Sequence, residues 1–278
     1  MRGEKWTNRQ IRICFVILII LLLLAVLVPV LSPYSYDAQN IVEQNARVSS
    51  AHLFGTDRFG RDLFTRVFYG MRISLIVGMV SAAVCLFVGT AVGTVAGYYG
   101  GMVDTVLLEV MNIISAIPSM LYIILIALVM GNGVGSVILG ICISGWTELG
   151  KFIRSETRRL KQADYCIAAE MMGVSPVRIM WRYILCNEKE MLIVQAVMLI
   201  PKAIFEEAFL SFIGIGIAAP EASLGTLIQD ARSQITVYPM QMIFPAAALA
   251  VVMLCLNQTG RVLERCASGQ NIRRKLAQ

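Results

Sequence analysis

Charge is scarce in this chain. Asp, Glu, Lys and Arg make up 15% of its 278 residues, whereas ordinary soluble domains carry about 25%. Hydrophobic residues reach 57% of the composition, and many stand in apolar runs of about 20 residues, the length of a membrane-spanning helix. A soluble protein with a large buried core does not need such runs. The composition therefore predicts an all-α protein that crosses a membrane several times.

Histidine is represented by a single residue, His52, and seven cysteines are scattered along the chain. No CxxC pair or metal-ligand spacing occurs among them, so we interpret the cysteines as reduced packing residues. They are Cys14, Cys85, Cys142, Cys166, Cys186, Cys255 and Cys266. Neither a metal site nor a catalytic centre is expected. A membrane enzyme is disfavoured, because it needs a cluster of His, Asp or Cys near a membrane face.

A nucleotide site is also missing. Gly55-x4-Gly60 followed by Arg61-Asp62 has the glycine spacing of a phosphate loop. Such a loop continues with Lys and then Ser or Thr, whereas Asp62 places a carboxylate where phosphate oxygens would sit. We therefore expect no cofactor in this chain.

Basic residues concentrate in three segments, and the formal net charge is +6. They lie near the start (Arg2, Lys5, Arg9, Arg12), in the middle (Lys151, Arg154, Arg158, Arg159, Lys161, Arg178, Arg182, Lys189) and at the end (Arg261, Arg265, Arg273, Arg274, Lys275). If these segments share one side, the positive-inside rule makes that side cytoplasmic. Because basic flanks of membrane spans explain these charges, nucleic-acid binding is not expected.

About six spans are predicted. The first, Ile11–Leu31, is read as uncleaved because it exceeds the roughly 7–15 apolar residues of a signal-peptide core. The others lie near 73–97, 104–130, 134–153, 191–214 and 238–256. The predicted organisation is a cytoplasmic N-terminus (1–10), a first transmembrane helix (11–32), an extracytoplasmic loop with an interfacial helix (33–71), a core of five transmembrane helices (72–262) that includes a cytoplasmic loop (160–190), and a basic cytoplasmic tail (263–278).

The end of the predicted outer loop combines charge with an apolar helical face. Leu63, Phe64, Val67 and Phe68 share that face, which predicts a short helix on the membrane surface. Arginines are unusual on an outer side, and four occur here: Arg58, Arg61, Arg66 and Arg72. Asp57 and Asp62 are candidates to pair with some of them.

Polar residues inside the predicted spans are candidates for the transport pathway, because intramembrane charges must pair or face water. They are Glu109, Asn112, Lys202, Glu206 and Glu207. Lys202 and Glu206 are spaced i, i+4 and can pair. Glu207 then either lines a pathway or forms a structural ion pair between subunits, and both readings stay open. Pro118 is expected to kink the third span.

A stripe of small residues runs along the second span. Gly89, Gly93 and Gly97 recur every four residues, a spacing that lets another helix approach closely. The stripe fits a tight seam in a channel core or simple packing in any membrane bundle.

The segment from Asp164 to Asn187 has the pattern of a helix-turn-helix between the fourth and fifth spans. Asp164 is a candidate N-cap, Gly173 a left-handed helix end, and Ser175-Pro176 a second helix start. One face of the first helix is predicted to collect Tyr165, Ala168, Ala169 and Met172, at i, i+3, i+4 and i+7. A hairpin on the membrane surface without any partner is the alternative.

Four motifs, in order, resemble the second permease subunit of ATP-binding-cassette (ABC) importers for dipeptides, oligopeptides and nickel. They are HLFGTD…GRD…GxRxSL at 52–75, GYYGG with Asp104 and Pro118 at 97–118, Ala168-Ala169 with Gly173 and Ile184-Leu185, and EAFLSFIGIG with Pro220 and SLG at 207–225. The resemblance covers about Ala51 to Arg265. Ile167 and Cys186 replace the family's usual Glu and Pro in the third motif, and Glu109 and Asn112 stand where Arg and Asp are common.

The resemblance implies a type I ABC importer permease fold with a cytoplasmic coupling helix-turn-helix, in a bacterial cytoplasmic membrane. It implies that Tyr165, Ala168, Ala169, Met172 and Gly173 couple the spans to ATPases. The implied partners are a second homologous permease subunit, two ATPase subunits that bind ATP and Mg, an extracytoplasmic substrate-binding protein and membrane lipid. Peptides, nickel and other small solutes stay open as substrates. An ion-coupled secondary transporter is the alternative, although the internal repeat typical of that class is not evident.

Overall fold

The regular elements of the chain are helical, apart from one isolated bridge between Thr56 and Asp62. This computed structural model describes the backbone of residues 2–276 and the side chains of residues 15–265 and 267. The helices are α1 (Arg2–Leu31), α2 (Leu63–Tyr99), α3 (Gly101–Ala116), α4 (Ser119–Met130), α5 (Val134–Lys161), α6 (Asp164–Met171), α7 (Pro176–Arg178), α8 (Cys186–Ile213), α9 (Leu224–Arg232) and α10 (Met240–Leu276). A 3₁₀ turn covers Ile41–Glu43, and a π-helix, Ile179–Leu185, joins α7 to α8. The side chains of Cys14 and Cys266 and most of the predicted basic tail lie outside the described residues.

Three described helices are long and apolar enough to cross a membrane: α2, α5 and the Met240–Arg265 part of α10. The pair α3 and α4 makes a fourth if it counts as one span. The two other predicted spans fall on α1, whose described apolar part is Phe15–Leu31, and on α8, which carries Lys202, Glu206 and Glu207. The six predicted segments are thus helical, and length and composition alone qualify three or four of them.

The predicted third span is broken rather than kinked. α3 and α4 meet at 77°, and Ile117 and Pro118 between them have extended backbone, with ψ of 129° and 133°. The residue before a proline is disfavoured in the helical region, so Ile117 ends α3 and a new helix begins after the proline.

The predicted surface helix is the first part of α2. Asp62 caps this helix by accepting hydrogen bonds from the backbone N and the hydroxyl of Thr65, at 2.8 Å and 2.7 Å. Leu63, Val67 and Phe68 are buried in a cluster with α1, α9 and α10 instead of facing lipid. The surface-helix prediction is therefore wrong, because tertiary neighbours cover its apolar face.

The glycine stripe is a seam within the chain. A Cβ atom on Gly89, Gly93 or Gly97 would lie 2.9, 2.5 or 2.6 Å from a backbone carbonyl oxygen of α5. The three oxygens belong to Trp146, Gly150 and Arg154. Only glycine permits this approach of two backbones, so the predicted close helix contact is confirmed, with α5 as its partner.

Buried charges join the start of α2 to α9. Arg61 Nε contacts Asp57 Oδ2 at 2.6 Å, and its other end lies 3.3 Å from Asp230 Oδ2. Arg66 lies 3.6 Å from the same two carboxylates. Asp57 thus pairs with arginines as predicted, whereas Asp62 pairs with His52 at 2.9 Å.

Candidate functional site

The segment between α5 and α8 folds as two helical pieces around a left-handed turn. α6 ends at Met171, and Gly173 takes φ of +76°, where a side chain would be strained. Pro176 occupies the first turn of the next helix, which runs through the π-helix into α8. Asp164 is the first helical residue rather than the cap, because Ala163 holds that position. Ser175 is at the second cap position, but its side chain makes no capping hydrogen bond.

The inner face of α6 packs on its own chain. Cys166 and Ala169 are buried with Tyr98 of α2 and with Ile179 and Ile184 of the π-helix. Burial raises the pKa of the Cys166 thiol above its usual value. The predicted docking face is therefore corrected: Ala169 points into this cluster and is not available to another protein.

The outer face of α6 is exposed and mostly apolar, and the charged Asp164 and Glu170 are exposed on the same helix. Met171 and Met172 are 84% and 73% exposed, and Ile167, Tyr165 and Ala168 are exposed beside them. The part of the Tyr165 side chain that is buried raises the pKa of its hydroxyl above the usual value. The face that a partner can reach is thus Tyr165, Ile167, Ala168, Met171 and Met172, which we call the α6 outer face.

Charged side chains tie together the long helices that flank this segment. Lys161 Nζ donates to the backbone oxygen of Tyr98 at 2.8 Å and lies 4.7 Å from the centre of its ring. Arg159 donates to Glu188 at 3.0 Å, which joins the end of α5 to the start of α8. These contacts hold α2, α5 and α8 together beside α6, which itself packs on Tyr98 of α2 and on the π-helix.

A second polar set lies along the long helices. Lys202 of α8 donates to Glu148 of α5 at 2.6 Å, and both side chains are substantially exposed, at 43% and 72%. Ser119 of α4 donates to Glu206 at 3.0 Å. The predicted Lys202–Glu206 pair is not formed among the described residues. Lys202 instead joins α8 to α5 through Glu148, which lies 54 positions earlier in the sequence.

Glu207 is fully buried, with 0% exposure. Its carboxyl oxygens lie 2.7 Å from Ser74 Oγ of α2 and 2.8 Å from Ser211 Oγ. Ser74 Oγ also lies 3.4 Å from the backbone N of Leu224 in α9. Both interpretations of Glu207 are thus wrong for this chain: the side chain is a hydrogen-bonded junction of α2, α8 and α9.

Glu109 and Asn112 are exposed on α3. No hydrogen bond or ion pair joins either side chain to Lys202 or Glu206 within the described residues. The described residues also contain no group of three or more His, Cys, Asp or Glu that could hold a metal ion.

Known protein families identify the class to which this chain belongs. A family model described as binding-protein-dependent transport system inner membrane component matches residues 89–267. The chain belongs to this family. The N-terminal transmembrane domain of oligopeptide transport permease C matches residues 7–48 of the same permease.

Relatives of the permease align over most of their length. The Bacillus subtilis dipeptide transport system permease protein DppC is 37% identical over 89% of this chain and 78% of its own length. The B. subtilis oligopeptide transport system permease protein OppC is 33% identical over 91% and 83%. The Pectobacterium atrosepticum glutathione transport system permease protein GsiD is 34% identical over 87% and 82%.

Membership establishes the class of the protein. It is a multi-pass membrane permease subunit of an ABC importer, of C type and with the type I permease fold, and the resemblance read from its motifs is confirmed. The permease is not an enzyme, since ATP hydrolysis in these importers belongs to separate subunits. The alternative of an ion-coupled secondary transporter is therefore wrong.

Several residues that the structure places at these surfaces were not predicted from the sequence. Ile167 was read as a departure from a motif, although it lies on the α6 outer face with Met171. Glu148 was not singled out, although it is the partner of Lys202. Asp230, which three arginines approach, carries no local signal, because its partners are more than 160 residues away.

Proposed function

We propose that this permease forms half of a pathway that imports short peptides across the bacterial cytoplasmic membrane. The support for the substrate class is that its relatives are named as permeases for dipeptides, oligopeptides and glutathione. Nickel and other small solutes remain alternatives to peptides. The proposed organisation retains cytoplasmic termini, so that α6 is cytoplasmic and both α9 and the segment before α2 are outside.

The proposed complex contains a second homologous permease subunit, two ABC ATPase subunits and an extracytoplasmic substrate-binding protein. ATP and Mg bind the ATPase subunits in this proposal, and membrane lipid surrounds the spans. The single observation that carries ATPase docking is the α6 outer face. Exposed apolar side chains on a short helix that packs on α2 and on the π-helix suit a groove of another protein. ATP-driven movement of that groove would then turn the spans.

The pathway side of the permease is inferred from exposed charge. The ion pair between Lys202 and Glu148 is exposed on spans where lipid contact would be unfavourable by several kcal/mol. The helix faces that carry this pair therefore face water or the second permease subunit in the proposed complex, whereas Glu206 is buried beside Ser119. Glu109 and Asn112 are assigned to the same pathway only by their polarity, and Glu207 is excluded by its burial.

The coupling proposal is tested with Met172→Glu in the complete importer, reconstituted in liposomes. A carboxylate on the α6 outer face would be buried without a partner on docking, so the ATPase subunits should bind more weakly by about 2 kcal/mol, roughly thirtyfold. Peptide-stimulated ATP hydrolysis should fall accordingly. Met240→Glu, at an exposed methionine at the start of α10, is the matched control. Unchanged stimulated hydrolysis in Met172→Glu would remove the α6 outer face as the docking surface.

A further inference from the structure

A concave pocket of about 340 Å³ lies where the ends of α8 and α9 meet the segment before α2. Its lining consists of Arg58, Phe212, Ile213, Gln229, Arg232 and Ser233. Two guanidinium groups, an amide and a hydroxyl thus face one small volume beside an aromatic ring. No acidic residue lines it among the described residues, so the pocket is suited to an anion.

The pocket lies in a region where positive charge exceeds negative charge. Three arginines, Arg58, Arg61 and Arg66, approach Asp230 at 3.3 to 3.6 Å, and two of them also share Asp57. Arg232 forms no ion pair within the described part of the chain, and its guanidinium carbon lies 5.8 Å from the centre of the Phe212 ring. Four arginines therefore stand against Asp57, Asp230 and Asp37, which also acts on Arg66, and Arg232 supplies the positive charge left for a ligand.

The pocket lies at the end of the proposed pathway face. Exposed side chains follow one side of α8 from Lys202 through Phe205 and Phe209 to Ile213. Phe212 lies ten positions after Lys202, which corresponds to about 15 Å along the helix. A solute that enters from outside would therefore meet Arg58 and Arg232 before it reaches the exposed ion pair.

We propose that this pocket binds the C-terminal carboxylate of a peptide as it enters the pathway. A guanidinium offers parallel N–H donors that match the two oxygens of a carboxylate. The Gln229 amide and the Ser233 hydroxyl supply further donors, and Phe212 provides an apolar wall for the last side chain of the peptide. This inference rests on the proposed import of peptides and assigns one end of the substrate to one end of the pathway.

The experiment compares uptake of labelled trialanine and trialanine amide by the complete importer in proteoliposomes. Each peptide is supplied at a concentration that saturates the binding protein, so that selectivity of that protein does not set the ratio. In the wild type, trialanine should enter about tenfold faster, because charge-assisted hydrogen bonds to the amide are lost. Arg232→Gln should abolish this ratio by slowing trialanine alone. Arg232→Lys should preserve most of it, and Arg47→Gln, at an exposed arginine of the segment before α2 that does not line the pocket, should leave it unchanged.

The possible outcomes separate this inference from the proposed function. If Arg232→Gln imports trialanine with the wild-type ratio, the carboxylate site is refuted while peptide import stands. If the variant slows both peptides equally and requires more binding protein for half-maximal uptake, an acidic side chain of the binding protein occupies the pocket instead, and the inference fails. If the wild-type importer moves neither peptide, both the inference and peptide import are refuted.

Discussion

Replacing Gly93 by alanine should weaken the packing of α2 on α5. The added Cβ would lie 2.5 Å from the carbonyl oxygen of Gly150 and 2.9 Å from the Cβ of Ile153. Neither atom is at the end of a flexible side chain, so the two helices must move apart. Overpacking of this kind destabilises by about 1–3 kcal/mol, and alanine regains up to about 1 kcal/mol of helix propensity. We expect a net loss of about 1–2 kcal/mol in the free energy of unfolding.

The assay is thermal unfolding of the purified permease in detergent, measured as the fraction of protein that remains monodisperse after heating. A loss of this size should lower Tm by about 2–8 °C, at about 2–4 °C per kcal/mol for a chain of this length. Gly135→Ala is the control: it also lies in a helix, but nothing is within 4 Å of the added Cβ. A Tm for Gly93→Ala equal to or above that of Gly135→Ala would refute the close approach of the two backbones.

Three further predictions concern named side chains. In single-cysteine variants, a maleimide should label Cys186 quickly and Cys166 slowly, because Cys166 is buried and its raised pKa leaves less thiolate at neutral pH. The labelling rate at Cys166 should rise with pH, and equal labelling of the two cysteines at pH 7 would contradict the burial of Cys166. Glu207→Leu should lower Tm by several degrees, because two buried serine hydroxyls lose their hydrogen-bond acceptor, at a cost of about 1–3 kcal/mol each. Replacement of a carboxylate on the protein surface should not lower Tm in this way. Lys202→Glu should reduce uptake, and combination with Glu148→Lys should restore part of it; no restoration would argue against their pairing.

Several local patterns were predicted correctly because the chain itself supplies the physics, whereas the predicted side-chain caps at Asp164 and Ser175 do not form. Gly173 was expected to end α6 because a left-handed residue without a side chain is needed there, and its φ of +76° agrees. The glycine stripe predicted a close helix contact, because the spacing of four residues alone places three small residues on one side. The motifs predicted the family, which the matches over residues 89–267 and 7–48 confirm.

The contacts made by helix faces were predicted less accurately. Ala169 was assigned to a docking face by periodicity, but Ile179 and Ile184 cover it from a neighbouring element. The apolar side of the first turns of α2 was expected to meet lipid, yet α1, α9 and α10 cover it. Periodicity states that a face is apolar and does not state what it contacts.

The sequence by itself determined the class of this protein, since apolar length, charge placement and motif order are properties of the chain that need no neighbours. It also marked the positions of the breaks at Pro118 and Gly173, because proline and glycine restrict the backbone locally, although Pro201 and Pro245 lie inside α8 and α10. Only the tertiary structure decided which charges pair: Lys202 selects Glu148 over the nearby Glu206, and Glu207 is held by serines of α2 and α8. Such choices depend on distances between segments far apart in the chain, and helix packing sets those distances.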